Sequence, residues 1–483
     1  MKYTSFKRII TIFLIALTLS SCEKTDNQIP SNVEIQDFVW KGMNAYYLWQ
    51  DQIPDLADTR FSSQNQLNSY LEGFPNPADL FQTIRFQPGV IDKFSWIVDD
   101  YIALENSLQG INQSNGMEIG LVRFANTPSN LFGYVRYVVP NSDAETQGIT
   151  RGMLFSQING EQITDTNFNS LLFPNSYTIH LADYNAGNPT TNGTTIALMK
   201  SQLQENPIAI KKVFDEGANR IGYLMYNQFA SSFDGQLNTA ISEFTTDGIT
   251  DLIIDLRYNG GGSTKTAIYM GSMVTGQFNG QLFSRELWNS KVQAAINENN
   301  FIKNFTNQIL NTDINGSVIL QEPINSLNLP RIYFITTGST ASASELVMNS
   351  LSTYINVLSV GTATLGKVHG STTLYDTDTY SRNGPNFNPN HTWAMQPLVL
   401  EIVNSNGTNQ PNGIIPNVQL AEDYENLGVL GEKSDPLLDR TITLITTGSR
   451  VAPPSNQLHL VEISNSKLMT PARNNMHVEL KNQ

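Results

Sequence analysis

The spacing of apolar residues changes twice along the chain and divides it into three regions with different predicted structure. Residues 33–110 carry apolar and aromatic side chains at helical spacing, and residues 111–204 alternate between apolar and polar positions with a period of two. In residues 205–447 helical and strand patterns alternate along the chain. The pattern predicts a small N-terminal helical domain, a β domain, and an α/β domain with a largely parallel sheet.

Individual elements can be placed within these regions. The β region contains the predicted strands Tyr134–Val139 and Tyr177–Leu181. In the α/β region, helices are predicted near Phe233–Phe244, after Ser263 and from Ser342, and strands are predicted at Ile221–Leu224, Asp251–Leu256, Arg331–Ile335 and Ile355–Val360. The helical region is interpreted as an aromatic core without chemistry. Residues 448–483 are rich in Pro, Asn and Ser and are predicted to form a loosely attached tail.

The first residues have the pattern of an export signal. Three basic residues among the first eight precede the apolar run 9–19, which is too short to span a bilayer as a mature helix. The run ends in Leu-Ser-Ser-Cys, and Cys22 is the only cysteine. This box resembles a bacterial lipoprotein signal, although a plain secretory signal with an incidental cysteine is the alternative. We expect a signal peptide over 1–21, lipidation of Cys22 and a linker over 22–32.

Composition narrows the classes of partner. A formal net charge of -14 argues against nucleic acid and against a basic patch that docks on anionic lipid. The five histidines are scattered without metal-ligand spacing, and the glycine-rich segment lacks the Lys-Ser/Thr of a phosphate loop. No metal, nucleotide or organic cofactor is therefore expected. Membrane contact is expected only through a lipid anchor, in the outer membrane, periplasm or cell surface of a bacterial envelope.

One set of motifs in the β region resembles a PDZ domain. The motifs, in chain order, are Met117–Leu121, Val138–Ser142, Gly148-Ile149, Arg151–Leu154 and Ile158-Asn159-Gly160. A glycine at position 120 lets backbone N–H groups turn toward a ligand carboxylate, and the following strand can accept an added strand. The resemblance implies a PDZ-like domain over 111–204. It would bind the free C-termini of polypeptides through Ile119, Gly120 and Leu121.

Later segments resemble the carboxyl-terminal processing (tail-specific) serine peptidases. They are, in order, Ile221–Leu224 with Phe229, Asp255–Gly262, Thr340–Glu345, Gly361, Gly366-Lys367 and Gly413–Asn417. Each motif alone is weak, but their order is specific, and the resemblance covers about two thirds of the chain. It implies a multidomain α/β fold with a serine peptidase core of the tail-specific protease (ClpP/crotonase-like) type over 205–447.

Ser342 is the nucleophile that this resemblance implies. It follows an apolar strand and opens a helix, where free backbone N–H groups and the helix dipole favour negative charge. A serine hydroxyl also needs a base within hydrogen-bond reach. The same segment, Ser-Ala-Ser-Glu, fits an S-x-x-E capping box, so a purely structural role is the alternative. Both roles can hold at once.

Lys367 is the implied general base, 25 residues after Ser342. It can act only if burial lowers its pKa far below the ordinary value of about 10.4. Many relatives carry a glutamine four residues later that orients the amine, whereas this chain has Ser371, which leaves the third catalytic member open. A rival arrangement pairs Ser342 with His369 and an unassigned Asp.

The resemblance implies that the oxyanion hole is formed by a glycine of the Gly260-Gly261-Gly262 loop, with Gly261 or Gly262 preferred, and by the N–H of Ala343. Asp255 and Arg257 are expected to order that loop.

Three functional hypotheses follow. The first is an endopeptidase that cleaves exported polypeptides near their C-termini, with the PDZ-like domain capturing the substrate tail. The second is a catalytically impaired peptide-binding envelope lipoprotein on the same scaffold. The third is a recruiting role for the PDZ-like and helical domains in envelope assembly, with cleavage secondary. Oligomeric state is left open.

Overall fold

The computed structural model describes residues 29–313, 315–451 and 458–479. The expected signal peptide, Cys22 and most of the linker therefore lie outside the described residues. Within the described ranges, no helix has the length and apolar character needed to cross a bilayer.

The N-terminal region is helical, as its pattern predicts. Its core is formed by aromatic and aliphatic side chains that the short helices turn toward one another, including Phe38, Tyr47 and Phe81. Asn76 and Asp100 cap two of these helices by accepting N–H groups of the first turn. The elements are α1 Glu34–Tyr46, α2 Gln64–Leu71, α3 Pro77–Thr83, β1 Trp96–Val98 and α4 Tyr101–Leu108.

The second region is a β domain built on one antiparallel sheet. Strand pairing follows the order β3-β4-β5-β7-β8, with β6 added on β5 and a strand from the C-terminal residues, β24 (Glu462–Asn465), added on β3. Apolar residues of β3, β4, β5 and β7 form its core. The elements are β2 Ile111–Ser114, β3 Met117–Arg123, β4 Leu131–Val138, α5 Asp143–Thr146, β5 Leu154–Ile158, β6 Glu161–Gln162, α6 Phe168–Leu172, β7 Ser176–Asp183, β8 Thr190–Met199 and β9 Ser201–Gln204.

The α/β region contains a six-stranded sheet in the order β10-β11-β12-β18-β19-β23, parallel except for β10 against β11. The inner strands at 221–226, 251–255 and 331–336 are largely apolar and buried because both faces of the sheet are covered there. The elements of this first half are β10 Ile208–Glu216, β11 Asn219–Tyr226, α7 Asp234–Asp247, β12 Asp251–Asp255, β13 Gly262–Ser263, α8 Thr264–Thr275, β14 Leu282–Trp288, α9 Ser290–Ala295, β15 Ile302–Asn304, β16 Gln308–Thr312, β17 Val318–Pro323, β18 Arg331–Thr336 and α10 Ala343–Leu351.

A second sheet packs beside the first, in the order β13-β25-β20-β22-β14-β15. Strand β1 of the helical domain pairs antiparallel with β21 of this region, which fixes the helical domain against it. The remaining elements are β19 Asn356–Gly361, β20 His369–Ser371, β21 Ala394–Gln396, β22 Leu398–Val403, β23 Val418–Gln419 and α11 Pro436–Thr447. The architecture is a multidomain α/β fold, as the sequence predicts.

The C-terminal residues differ from the prediction of a loosely attached tail. Within residues 458–479, strand β24 (Glu462–Asn465) pairs antiparallel with β3, and strand β25 (Met476–His477) lies between β13 and β20. Met476 and Val478 are buried in the main core. Strand β24 has four residues and β25 has two, which is too few for a hydrophobic period to reveal them. Their partners also lie far away in the sequence.

Candidate active site

Ser342 lies at the turn that joins β18 to α10. Its backbone has φ 68° and ψ -116°, a left-handed conformation that costs a non-glycine residue about 1–3 kcal/mol and is concentrated at functional sites. The residue is fully buried, and its hydroxyl oxygen has no hydrogen-bond partner within the described part of the chain. The capping-box arrangement of Ser342 and Glu345 is also present, so the strained backbone and the helix cap occur at the same residue.

Glu345 links the serine to the lysine. One carboxylate oxygen accepts the backbone N–H of Ser342 at 2.8 Å and that of Lys367 at 2.9 Å. The other accepts the Thr364 hydroxyl at 2.5 Å and the Gly366 N–H at 2.6 Å. Burial raises the pKa of this carboxyl, and the four hydrogen bonds act in the opposite direction. The arrangement brings together the two residues that the sequence singled out.

Lys367 is completely buried, although lysine is almost never so without a partner. Burial lowers the pKa of its amine to about 7, while the carboxylates of Asp92 and Glu345 oppose the shift. The rings of Phe94 and Trp96 lie 5.2 and 5.7 Å from Nζ. These rings belong to the N-terminal region in which the sequence analysis found no chemistry. That interpretation is corrected, because the region supplies the apolar wall around the lysine.

The glycine loop packs directly against the serine. A Cβ placed on Gly261 would lie 2.6 Å from the Cβ of Ser342 and 2.9 Å from its Oγ, so only glycine fits there. The carbonyl of Asn259 accepts the Ala341 N–H at 3.1 Å and the Ser344 hydroxyl at 3.2 Å. Asn259, which the sequence analysis did not single out, therefore fixes the glycine loop to the serine loop.

The three backbone N–H groups that the sequence offered as oxyanion donors differ in whether they already have an acceptor. The N–H of Gly261 donates to the Asn259 side chain at 2.8 Å, and the N–H of Gly262 donates to the carbonyl of Asn475 at 2.5 Å. Ala343 is the first residue of α10, so its N–H has no acceptor inside the helix. The Gly262 donor is thus occupied by a carbonyl of the chain's own tail.

Arg257 and Asp255, the residues expected to order the glycine loop, form a buried ion pair shortly before it in the chain. Both are fully buried, and Arg257 pairs with Asp255 and with Asp435 at 2.7 Å each. Asp435 also caps α11, and the carbonyl of Arg257 accepts the Thr337 hydroxyl near the serine loop. A buried arginine paired with two carboxylates is costly to break, which makes the base of the loop rigid.

Ser371, the candidate third member, forms no hydrogen bond with the lysine amine in the part of the chain that the structure describes. Its hydroxyl donates to Asn475 Oδ1 at 2.7 Å. The amine donates instead to the backbone carbonyl of Asn474 at 2.6 Å. His369 lies with its ring 5.2 Å from Trp49, and burial lowers its pKa below the ordinary value.

The three residues expected to bind a peptide terminus lie together on β3. Ile119 and Leu121 are buried, and a Cβ on Gly120 would meet Tyr134 and lie 2.8 Å from the carboxylate of Glu462. The outer edge of β3 is paired with β24. No cluster of three His, Cys, Asp or Glu side chains suited to a metal ion occurs in the ranges that the structure describes.

Comparison with known proteins gives two family matches. The model of peptidase family S41 matches residues 220–420, and the model of the peptidase S41 N-terminal domain matches residues 34–96. No curated protein sequence gives a significant match.

Solved structures resemble the whole architecture. A protein from Bacteroides fragilis NCTC 9343 classed as an S41 protease aligns at a TM-score of 0.63 and 21% identity, over 85% of this chain and 97% of its own. The photosystem II D1 C-terminal processing protease aligns at a TM-score of 0.49 and 17% identity, over 85% of this chain and 100% of its own. The first likeness shows a shared fold.

Proposed function

Because the chain belongs to peptidase family S41, a family of serine peptidases, we propose that it is an endopeptidase that uses Ser342 as nucleophile and Lys367 as general base. The observation that carries the proposal is the shared carboxylate of Glu345, which holds the backbone of both residues at one site. An amine with a pKa of about 7 is neutral in a large fraction of molecules at neutral pH, as a base must be.

The proposed reaction follows the order of acyl transfer. The neutral amine of Lys367 takes the hydroxyl proton while Ser342 Oγ attacks the carbonyl carbon of the scissile peptide bond. The N–H of Ala343 and a glycine-loop N–H would stabilise the oxyanion. The lysine ammonium then donates its proton to the leaving amine. Water, activated by the same lysine, hydrolyses the acyl-enzyme and frees the serine.

The β domain is proposed to be PDZ-like and to bind the C-terminal segment of a substrate along β3. Support comes from the strand edge of Met117–Arg123, which accepts an extended antiparallel segment, β24. An added strand gives affinity through backbone hydrogen bonds, and adjacent side-chain sites give selectivity. Exported polypeptides with free C-termini are the proposed substrates.

We propose that Cys22 is lipidated and holds the mature protein at a bacterial cell envelope. The support is the sequence of the N-terminus alone. Mass spectrometry of the protein isolated from membranes tests this, since a Cys22→Ser variant would lose the lipid mass and leave the membrane fraction. An unmodified Cys22 on the membrane-bound protein would contradict it.

A peptide-binding protein with impaired catalysis is the second candidate, favoured because no hydrogen bond joins Ser371 to the Lys367 amine among the described residues. Cleavage of a disordered protein separates the two functions. The peptidase turns over many equivalents of substrate and loses this in Ser342→Ala. The binding protein retains a peptide, with and without the substitution, and never cuts it.

A further inference from the structure

The chain's own C-terminal segment, residues 458–479, follows the path that the proposed function assigns to a substrate. It pairs first with β3, the strand that carries Ile119, Gly120 and Leu121, and ends beside the catalytic residues. We propose that this segment is a tethered peptide ligand of the substrate groove, which keeps the peptidase inactive until the segment is displaced. The inference rests on the proposed function of the same site.

The first part of the contact is a β-strand addition. Glu462, Ser464 and Asn465 lie opposite Val122, Leu121 and Gly120 in antiparallel register. The N–H of Ile119 donates to the hydroxyl of Ser466 at 3.0 Å, and that of Arg123 donates to the carbonyl of Val461 at 3.0 Å. Without this segment β3 would be an exposed edge with unpaired backbone groups, which is the template that an extended peptide needs.

A charge pair between a buried arginine and a partly exposed carboxylate anchors this strand. The carboxylate of Glu462 pairs with the guanidinium of Arg136 at 2.5 Å and accepts the Tyr134 hydroxyl at 2.8 Å. Arg136 is 2% exposed, so removing the carboxylate would leave a buried positive charge without this partner. Further along, Lys467 pairs with Glu205, again with little exposure of either side chain.

The second part of the contact occupies the catalytic centre. The carbonyl of Asn474 accepts the Lys367 amine at 2.6 Å, and the carbonyl of Asn475 accepts the Gly262 N–H at 2.5 Å. Met476 and His477 then lie parallel to Gly262 and Ser263 as strand β25. A peptide carbonyl on a glycine-loop N–H, next to the serine, is placed as a bound substrate would be.

The consequence is a closed site. Ser342 and Lys367 are both fully buried in the presence of this segment, and the Gly262 N–H already has an acceptor. A second polypeptide can take the Gly262 N–H only by displacing the carbonyl of Asn475. The segment therefore competes with substrate for the same hydrogen bonds, and its covalent tether gives it a high effective concentration.

The test uses a full chain that folds intact and is cut afterwards. The recognition sequence of an unrelated site-specific protease is placed between Val451 and Leu458, and the folded protein is cleaved there. A fluorescent synthetic peptide of residues 458–479 is then titrated into the cut protein, with anisotropy as the binding signal. Hydrolysis of a disordered protein is measured on the same samples.

We expect the peptide to bind the cut protein. Hydrolysis should rise at least tenfold once the chain is cut and the segment leaves the groove, and added peptide should suppress that rise. A peptide with Glu462→Ala should bind at least a hundredfold more weakly. A peptide with His459→Ala, at an exposed position, should bind like the parent.

Two results would overturn the inference: a peptide that does not bind the cut protein, and a folded cut protein whose hydrolysis falls. The latter would show that the segment completes the site. Specific peptide binding without hydrolysis in any form would support the segment as groove ligand and would refute the proposed peptidase activity, so the two failures can be told apart.

Discussion

The carboxylate of Glu345 accepts the backbone N–H of Lys367 at 2.9 Å, and the same oxygen also accepts the N–H of Ser342. Glu345 thus holds the backbones of Ser342 and Lys367, the proposed nucleophile and base, at one carboxylate oxygen. It was visible in the sequence only as the last residue of a capping box.

Substituting Glu345→Gln should reduce kcat about 10- to 100-fold, which corresponds to about 1.4–2.7 kcal/mol in activation free energy. The reason is that an amide offers one acceptor oxygen where four donors converge. The negative charge also raises the pKa of Lys367. Its removal should therefore move the midpoint of the pH–rate profile to lower pH. Glu243→Gln, at a largely exposed side chain, is the matched control and should leave both quantities unchanged. An unshifted midpoint in Glu345→Gln would contradict the assigned role.

The pH dependence of kcat/KM should report the titration of Lys367. The base must be neutral, so activity should rise with pH and level off above a midpoint of about 7. A histidine base would behave differently, because burial lowers the pKa of His369 below 6.5. The profile should keep its midpoint in His369→Ala. A midpoint below 6.5 that disappears in this variant would transfer the role to the histidine.

The depressed pKa of Lys367 also predicts a pH-dependent stability difference that needs no assay of activity. Between pH 7 and 10 the unfolded chain binds a proton that the folded chain does not, so wild-type stability falls as pH falls across this window. Lys367→Met lacks this titration. The free energy of unfolding of Lys367→Met minus that of wild type should therefore increase by about 1.4 kcal/mol for each pH unit from pH 10 down to pH 7, and then level off. Denaturant unfolding at several pH values measures it, and a constant difference would indicate a lysine with an ordinary pKa.

Gly261→Ala should reduce hydrolysis at least a hundredfold, because the new methyl group would lie 2.6 Å from the Ser342 side chain. The backbone there has φ +109°, which adds strain for any other residue. Gly338→Ala is the control on the serine loop, since a Cβ there meets nothing within 4 Å. Near-normal activity in Gly261→Ala would mean that the glycine loop does not face the reacting atoms.

The parts that could be predicted from sequence are those encoded by local pattern. The buried strand predicted at Arg331–Ile335 is observed at Arg331–Thr336, and the helix predicted near Phe233–Phe244 is Asp234–Asp247. Continuous apolar runs and a glycine at a helix end identify such elements within a few residues. The order of the motifs likewise pointed to the serine and the lysine.

The parts that could not be predicted depend on distant contacts. Phe94 and Trp96 reach Lys367 only because β1 pairs with β21 from the far end of the chain. Strand β25 has two residues, so no period marks it, and its place between β13 and β20 is decided by tertiary pairing. The pKa of the lysine likewise depends on burial, which no local segment specifies.

The central claim is tested most directly by hydrolysis of a disordered protein with an apolar C-terminus. The full chain is assayed beside Ser342→Ala and Lys367→Ala, each intact and after release of residues 458–479. After release of residues 458–479, wild type is expected to cleave at least tenfold faster than its intact form, and both variants are expected to lose at least about a thousandfold of that activity with their folds retained. Equal cleavage by Lys367→Ala and wild type would contradict the assignment of Lys367 as the base, and equal cleavage by Ser342→Ala would contradict the serine mechanism itself.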